Sequence, residues 1–281
     1  MIYLLIVSLL WAFSFGLIKD NLVSLDSNFV SFARLFISSI VFIPFIKIKT
    51  LKKELVTKFI LTGLIQFGLM YISYIYSFQF LKAYEVALFT IFTPIYVTII
   101  NDILSKKFHS LFFVTALLSV AGTAVIKYAD LSGDVFKGFL FVQISNISFA
   151  FGQTYYKSLK TNLPNVKDSE VFGLLLFGGS LIAGVFSFFT TDYSSLSISS
   201  NQFLTLLYLG LVASAIGFFL WNYGATKTDA GALAIFNNLK IPLAIAVSLI
   251  FFGEDANIIR LIIGGIIITV ALYLNEYFLN K

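Results

Sequence analysis

Ten apolar stretches fill the chain, at 2–18, 29–46, 59–80, 84–104, 111–126, 138–156, 171–189, 203–225, 230–252 and 258–279. A helix crosses the hydrocarbon core of a bilayer with about 20 mostly apolar residues, and about 17 is the lower limit. Water is absent there, so each backbone N–H and C=O must be satisfied within the segment, which makes these stretches helices. The predicted fold is therefore an all-α integral membrane protein with ten transmembrane helices, spans 1 to 10. The connections are too short for a separate soluble domain, so function must sit inside the bundle. Charged residues make up 12% of the 281 positions, against about 25% in soluble domains. The chain has no cysteine, which removes disulfides, thiolate metal sites and cysteine nucleophiles. Span 1 starts at Ile2 with no basic region before it, and is read as a retained helix rather than a signal peptide.

Lysine and arginine in short loops set membrane orientation. Twelve of the nineteen fall on one side of the expected bundle: Lys47, Lys49, Lys52, Lys53 and Lys58 between spans 2 and 3, Lys106 and Lys107 between 4 and 5, Lys157, Lys160 and Lys167 between 6 and 7, Lys227 between 8 and 9, and Lys281 at the end. Lys19, Lys82, Lys127, Lys137 and Arg260 lie opposite, while Arg34 and Lys240 fall within spans. The richer side is expected to be cytoplasmic, with both termini. This alternation accounts for the net charge of +5 without nucleic acid. The 47–58 lysines also suit anionic lipid headgroups.

The halves of the chain resemble each other. Ala87-Leu88 then Thr93-Pro94 in span 4 match Ala232-Leu233 then Lys240-Ile241-Pro242 in span 9. The offset accommodates five helices. An odd number per repeat turns the second copy over in the membrane, the inverted plan of many secondary transporters, whose substrate site lies near the midplane. The expected division is 1–128 (spans 1–5) and 134–281 (spans 6–10).

At these residues the chain resembles the EamA-type permeases of the drug/metabolite transporter superfamily. The resemblance rests on Leu10-Trp11-Ala12-Phe13-Ser14, Arg34 and Thr93-Pro94 in the first half. In the second it rests on Tyr208-Leu209-Gly210, Ser214, Trp221-Asn222, Pro242 and Phe252-Gly253-Glu254. Span 4 departs by ending in Ser105-Lys106 where the family usually has Gly-Glu, and span 9 by carrying Asn237-Asn238-Leu239-Lys240 before its proline. The resemblance implies two inverted five-helix halves around a central cavity lined by spans 1, 3, 4, 6, 8 and 9. It also implies movement of amino acids, amines, nucleotide-related metabolites or other small organic solutes, often outward.

Lys240 is the sharpest candidate. It lies about ten residues into span 9, where a lysine costs about 2.5–3.5 kcal/mol on insertion scales. Glu85, Asp102, Asp229 and Glu276 all lie near span ends, which leaves Lys240 for a substrate carboxylate or phosphate. The alternative has it unprotonated or bonded to carbonyls freed near Pro242. Asn237 lies one turn before it on the same face, and Asn238 about 100° away. Their amides either contact substrate or tie helices together. Further polar stripes give Trp11 and Ser14 (span 1), Tyr74 and Ser77 (span 3), Thr90 and Thr93 (span 4), Gln143, Asn146 and Gln153 (span 6), and Ser214, Phe218 and Trp221 (span 8). Such stripes face protein or water, and substrate contact is one of two readings for each. Arg34 either snorkels to the interface or serves gating or substrate. Pro94 and Pro242 each remove a backbone hydrogen bond and supply bends, for alternating access or as static kinks.

Phosphate-binding loops, HExxH and GxSxG motifs are absent, and no cofactor or metal is expected; His109 stands alone. The chain is read as a non-enzymatic, multi-pass secondary transporter of the inner membrane, an exporter or exchanger working by alternating access as a monomer or weak homodimer. Amino acids lead the expected solutes, then nucleotide-linked metabolites such as S-adenosylmethionine, then cationic drugs and amines. A membrane-embedded lipid enzyme is the alternative outside transport.

Overall fold

The computed structural model describes residues 2–105, 133–228, 230–255 and 257–279. Span 5, Lys106, Lys107, His109, Lys127, Asp229 and Lys281 lie outside them, as do the side chains of Asn238, Arg260 and Glu276. Nine helices occupy the described residues, with no strand among them. They are α1 (Ile2–Leu22), α2 (Ser27–Phe45), α3 (Lys53–Ser77), α4 (Ala83–Leu104), α5 (Gly133–Thr161), α6 (Asp168–Thr190) and α7 (Ser200–Thr226), then α8 (Ala230–Phe251) and α9 (Ile258–Leu279). The first seven are each long and apolar enough to cross a membrane. They correspond to spans 1–4 and 6–8, and α8 and α9 to spans 9 and 10.

Local chemistry sets the helix ends. Asp26 caps α2, its carboxylate accepting from Asn28 N at 3.1 Å and Phe29 N at 2.9 Å, which satisfies two of the donors a helix start leaves open. Ser199 and Gln202 form a reciprocal capping box at α7. The start of α4 takes its cap from far along the chain. Glu254, just past α8, accepts from Ala83 N at 2.7 Å and Tyr84 N at 2.9 Å. Gly253 before it has φ +62°, a turn conformation that glycine adopts without a Cβ penalty.

Three helices depart from regular α geometry in their middles. α3 widens into a π segment over Leu64–Leu69 and α7 over Leu209–Ile216, while α4 tightens into a 3₁₀ turn at Thr90–Phe92 just ahead of Thr93-Pro94. α8 stays helical through Pro242.

In lipid, helices associate through close backbone approach rather than a hydrophobic drive. Here glycines permit it. A Cβ on Gly63 would fall 1.9 Å from the Leu175 carbonyl oxygen, and one on Gly178 2.0 Å from that of Ile60. The α3 and α6 backbones therefore touch. α2 packs along α6 and the π segment of α7, where Ser38 Oγ donates to Gly210 O at 2.8 Å. α1 packs on α8 and α7, α5 on α3 and α4, and α9 on α4. The outer faces keep apolar residues exposed, among them Phe188, Phe189, Ile250 and Ile259, which suits contact with lipid chains.

Candidate functional site

The helices meet around a partly open cavity of about 70 Å³, room for about five waters at about 10–15 Å³ each. Its walls come from α1 (Trp11, Ser14, Phe15), α2 (Arg34), α3 (Met70, Tyr71, Tyr74), α4 (Thr90, Thr93), α5 (Ser145, Asn146, Phe149), α7 (Phe218) and α8 (Lys240). No Asp or Glu is among these residues. Two cations are.

Lys240 is 6% exposed. Its Nζ sits 5.3 Å from the ring centre of Trp11, 5.7 Å from Phe149 and 5.8 Å from Trp221. Those rings attract an ammonium through their negative faces. Among the described residues Lys240 has no hydrogen-bond or ion-pair partner. The rings are themselves anchored. Trp11 Nε1 donates to Ala213 O at 2.8 Å, a carbonyl within the α7 π segment. Trp221 Nε1 donates to Gln153 Oε1 at 3.1 Å.

Arg34 is 3% exposed, so it does not snorkel. Its guanidinium lies 4.6 Å over the Tyr71 ring. Nη2 donates to Tyr71 Oη at 2.8 Å and Ser214 Oγ at 3.2 Å. Tyr71 Oη and Ser214 Oγ are 2.6 Å apart, and Ser214 donates to Leu209 O, five residues back. That reach is the spacing of a π turn, so the irregular α7 backbone sets the hydroxyl that steers Arg34. Nε and Nη1 are buried with no partner. The Phe218 ring, 5.0 Å from Trp11 and 5.7 Å from Tyr71, stands between the surroundings of the two cations.

The cavity also has a neutral polar wall. The 3₁₀ turn sends Thr93 N to Thr90 O, which frees the Phe89 carbonyl. Asn146 Nδ2 takes it at 2.9 Å and also reaches Gln143 Oε1 at 3.1 Å. Thr93 Oγ1 donates to Asn146 Oδ1 at 3.2 Å, and Tyr96 Oη to Gln143 Oε1 at 3.2 Å. The break before Pro94 thus becomes a set of fixed amides.

Of the residues singled out from the sequence, Trp11, Ser14, Arg34, Tyr74, Thr90, Thr93, Asn146, Phe218 and Lys240 line the cavity. Ser214 and Trp221 stand one layer behind, orienting Arg34 and caging Lys240. Gln143 buttresses Asn146, and Gln153 holds Trp221. Ser77 bonds the Tyr74 carbonyl at 2.6 Å and Asn237 is buried on α8; neither lines the cavity. Pro94 lies just past the 3₁₀ turn of α4, and Pro242 is inside α8. Sequence reasoning missed Tyr71, Ser145 and Phe149 as lining residues. Tyr71 belongs to the aromatic run with Tyr74 and Tyr76; Tyr71 and Tyr74 both face the cavity, while Tyr76 is exposed.

Beside the cavity, Gln66 Nε2 donates to Asn222 Oδ1 at 2.9 Å, both side chains buried. A Cβ on Gly152 would meet the Gln66 side chain at 2.1 Å. This layer ties α3, α5 and α7 together.

The profile of the EamA-like transporter family matches residues 1–128 and again 136–276. This chain belongs to that family. It is 36% identical over 276 residues to a probable biotin transporter of Pseudomonas aeruginosa, covering 98% of this chain and 96% of the relative. It is 34% identical over 278 residues to the biotin transporter of Escherichia coli K12, covering 98% and 93%. An uncharacterized transporter of Bacillus subtilis shares 26% over 223 residues, covering 74% and 65%. A solved protein crystal structure superposes with a TM-score of 0.69 at 16% identity, over 96% of this chain and 94% of the other, a likeness of fold. With seven apolar helices of spanning length among the described residues and these bacterial relatives, the protein is a multi-pass inner-membrane transporter of the family rather than an enzyme.

Proposed function

We propose that the protein is a secondary transporter that moves a small carboxylate-bearing solute by alternating access, with biotin the leading substrate. The observation that carries this reading is Lys240, a buried cation with no hydrogen-bond or ion-pair partner among the described residues, on an aromatic-walled cavity. The three rings offset much of the cost of burying that ammonium, but none of them carries a negative charge, so its three N–H donors are open to a substrate carboxylate. The relatives named for biotin move the substrate away from the amino acids that the sequence put first. Biotin combines a valerate carboxylate for Lys240 with an apolar ring system for the walls. A cationic amine would meet two positive side chains instead.

The cavity of about 70 Å³ is smaller than the roughly 300–1,000 Å³ of ligand sites. Substrate entry therefore requires the helices to part. The packing pattern supports an inverted five-helix exchange. α3 lies on α6 as α7 lies on α2, and the π segments of α3 and α7 fall at corresponding places in the two halves. In this reading the halves 1–128 and 134–281 rock about the cavity, Pro94 and Pro242 mark the flexing points, and both termini face the cytoplasm. The remaining lining side chains, with Asn237 and Gln153 behind them, shape the pocket around the substrate, and Asn238 stays a candidate from the sequence alone.

The test is counterflow in liposomes with the purified protein. Vesicles preloaded with biotin should accumulate external radiolabelled biotin, saturably, and a panel of amino acids should not compete. Accumulation driven by amino acids, with biotin inert, would overturn the assignment.

A further inference from the structure

We infer that Trp221, with the amides of Gln66, Gln153 and Asn222, forms a gate at one end of the cavity, and that a substrate carboxylate loosens it by drawing the Lys240 ammonium off the indole. The carboxylate comes from the reading above, on which this inference rests.

The four residues form one layer. Gln66 lies four residues before Met70 on α3, Gln153 four after Phe149 on α5, and Asn222 four after Phe218 on α7. Each is therefore about one turn from a cavity-lining residue, on the same helix face. The three steps lead to one end of the bundle, where α3 starts and α5 and α7 finish. There the Phe59 ring meets Tyr156 at 6.2 Å, and Lys157 Nζ donates to Thr228 O at 2.9 Å. Trp221, Gln66 and Gln153 are fully buried and Asn222 nearly so, so the layer is shut.

It is shut with polar groups to spare. Gln66 Oε1, Gln153 Nε2 and Asn222 Nδ2 are buried without a hydrogen-bond partner. Buried amides normally find partners, and a tie meant only to hold helices together has no use for three that do not. Spare amide atoms on one level suit walls that part and then face water or substrate.

Trp221 joins this layer to the cavity. Its ring lies 5.8 Å from Lys240 Nζ and 5.0 Å from the Trp11 ring, and its Nε1 donates to Gln153 Oε1 at 3.1 Å. The indole is held by the ammonium on one side and the amide on the other. A carboxylate offers Lys240 a full negative charge where a ring face offers a partial one, and the flexible lysine stem lets Nζ follow it. Trp221 then keeps its ring contacts and the Gln153 bond. Loss of one cation–π contact shifts the shut-to-open ratio about fivefold. A neutral ligand of the same shape leaves Lys240 on the rings and the gate shut.

The experiment is tryptophan fluorescence on purified protein. Trp11 and Trp221 are the two tryptophans of the chain, so Trp11→Phe leaves Trp221 as the reporter and keeps a ring at position 11. Displacement of radiolabelled biotin sets saturating concentrations. Biotin should red-shift the Trp221 emission and raise its acrylamide quenching constant at least about twofold. Biotinamide, in which the carboxylate is neutralised and the rest kept, should do neither. A ligand that merely packs on the indole would shield it and lower quenching. Gln153→Leu, which removes the indole's acceptor, should raise quenching before any ligand is added, and Gln153→Glu, which keeps an acceptor, should restore the parent value. If bound biotin lowers quenching or leaves it unchanged, or biotinamide acts as biotin does, the inference is wrong, whether or not the Gln153 variants fold. The same comparison in wild type, where both indoles flank the ammonium, decides the matter should Trp11→Phe lose binding. If wild type binds no biotin, the substrate assignment has failed, and the gate is then judged on Gln153→Leu, where quenching equal to the parent's overturns it.

Discussion

Replacing Lys240 with methionine separates its role in folding from its role in binding. Methionine keeps the length and flexibility of the stem and drops the charge. In the substrate-free protein two terms oppose each other. Placing a lysine near mid-membrane costs about 2.5–3.5 kcal/mol. The three rings return part of that. They lie at 5.3, 5.7 and 5.8 Å, close to the outer limit of about 6 Å, where each cation–π contact contributes about 1 kcal/mol. The terms nearly cancel, so Lys240→Met should alter stability by no more than about 1 kcal/mol, about 2–4 °C in midpoint. Binding behaves differently. A carboxylate entering the variant cavity loses its charged partner, at a cost of about 2–5 kcal/mol. At about 1.36 kcal/mol per tenfold, biotin should bind roughly 30-fold to several thousandfold more weakly. Biotinamide, with no charge to satisfy, should change less than about threefold. Thermal unfolding and biotin displacement on the same detergent-purified samples read both quantities. Equal losses for biotin and biotinamide would sink the anchor assignment. A fall in midpoint beyond about 10 °C would show that Lys240 holds the fold instead.

Two further perturbations probe the scaffold. Gly178→Val should abolish folded, monodisperse protein in size-exclusion chromatography, because the Cβ would meet the Ile60 carbonyl at 2.0 Å and neither backbone can yield cheaply; Gly133→Ala, with nothing within 4 Å of the new Cβ, is the matched control and should elute as wild type. Glu254→Ala should leave Ala83 N and Tyr84 N uncapped, a loss of about 1–2 kcal/mol visible as faster hydrogen exchange confined to the first turn of α4, and unchanged exchange there would show that the cap contributes nothing.

Chain chemistry alone dictates most of the scaffold. A helix in lipid must satisfy its own backbone, so apolar length announces it whatever its neighbours do, and the nine helices of the described residues fall on nine of the ten expected spans. Membrane cost also made Lys240 legible, since an ionisable side chain at that depth needs a reason. The same logic found Trp11, Thr93 and Asn146, polar or amphipathic groups on helix faces that lipid would not accept.

Tertiary structure decided which of those groups meet. Arg34 reads from the sequence as a residue near a span end with the option of snorkelling. Only the fold buries it, because Tyr71 on α3 and Ser214 on α7 arrive from 37 and 180 residues away in sequence to hold its Nη2. That Tyr71 joins Tyr74 on the cavity wall was likewise visible only in the fold. The π segments of α3 and α7 interrupt the regular 3.6-residue periodicity, and a face counted along the helix still finds Tyr74 and Phe218 beyond them but not Tyr71. Side-chain identity sets what a residue can bond to. The distance between two residues remote in sequence is fixed only when the helices pack, and the meeting of Arg34 with Tyr71 and Ser214, like that of Lys240 with Trp11 and Trp221, depends on that packing.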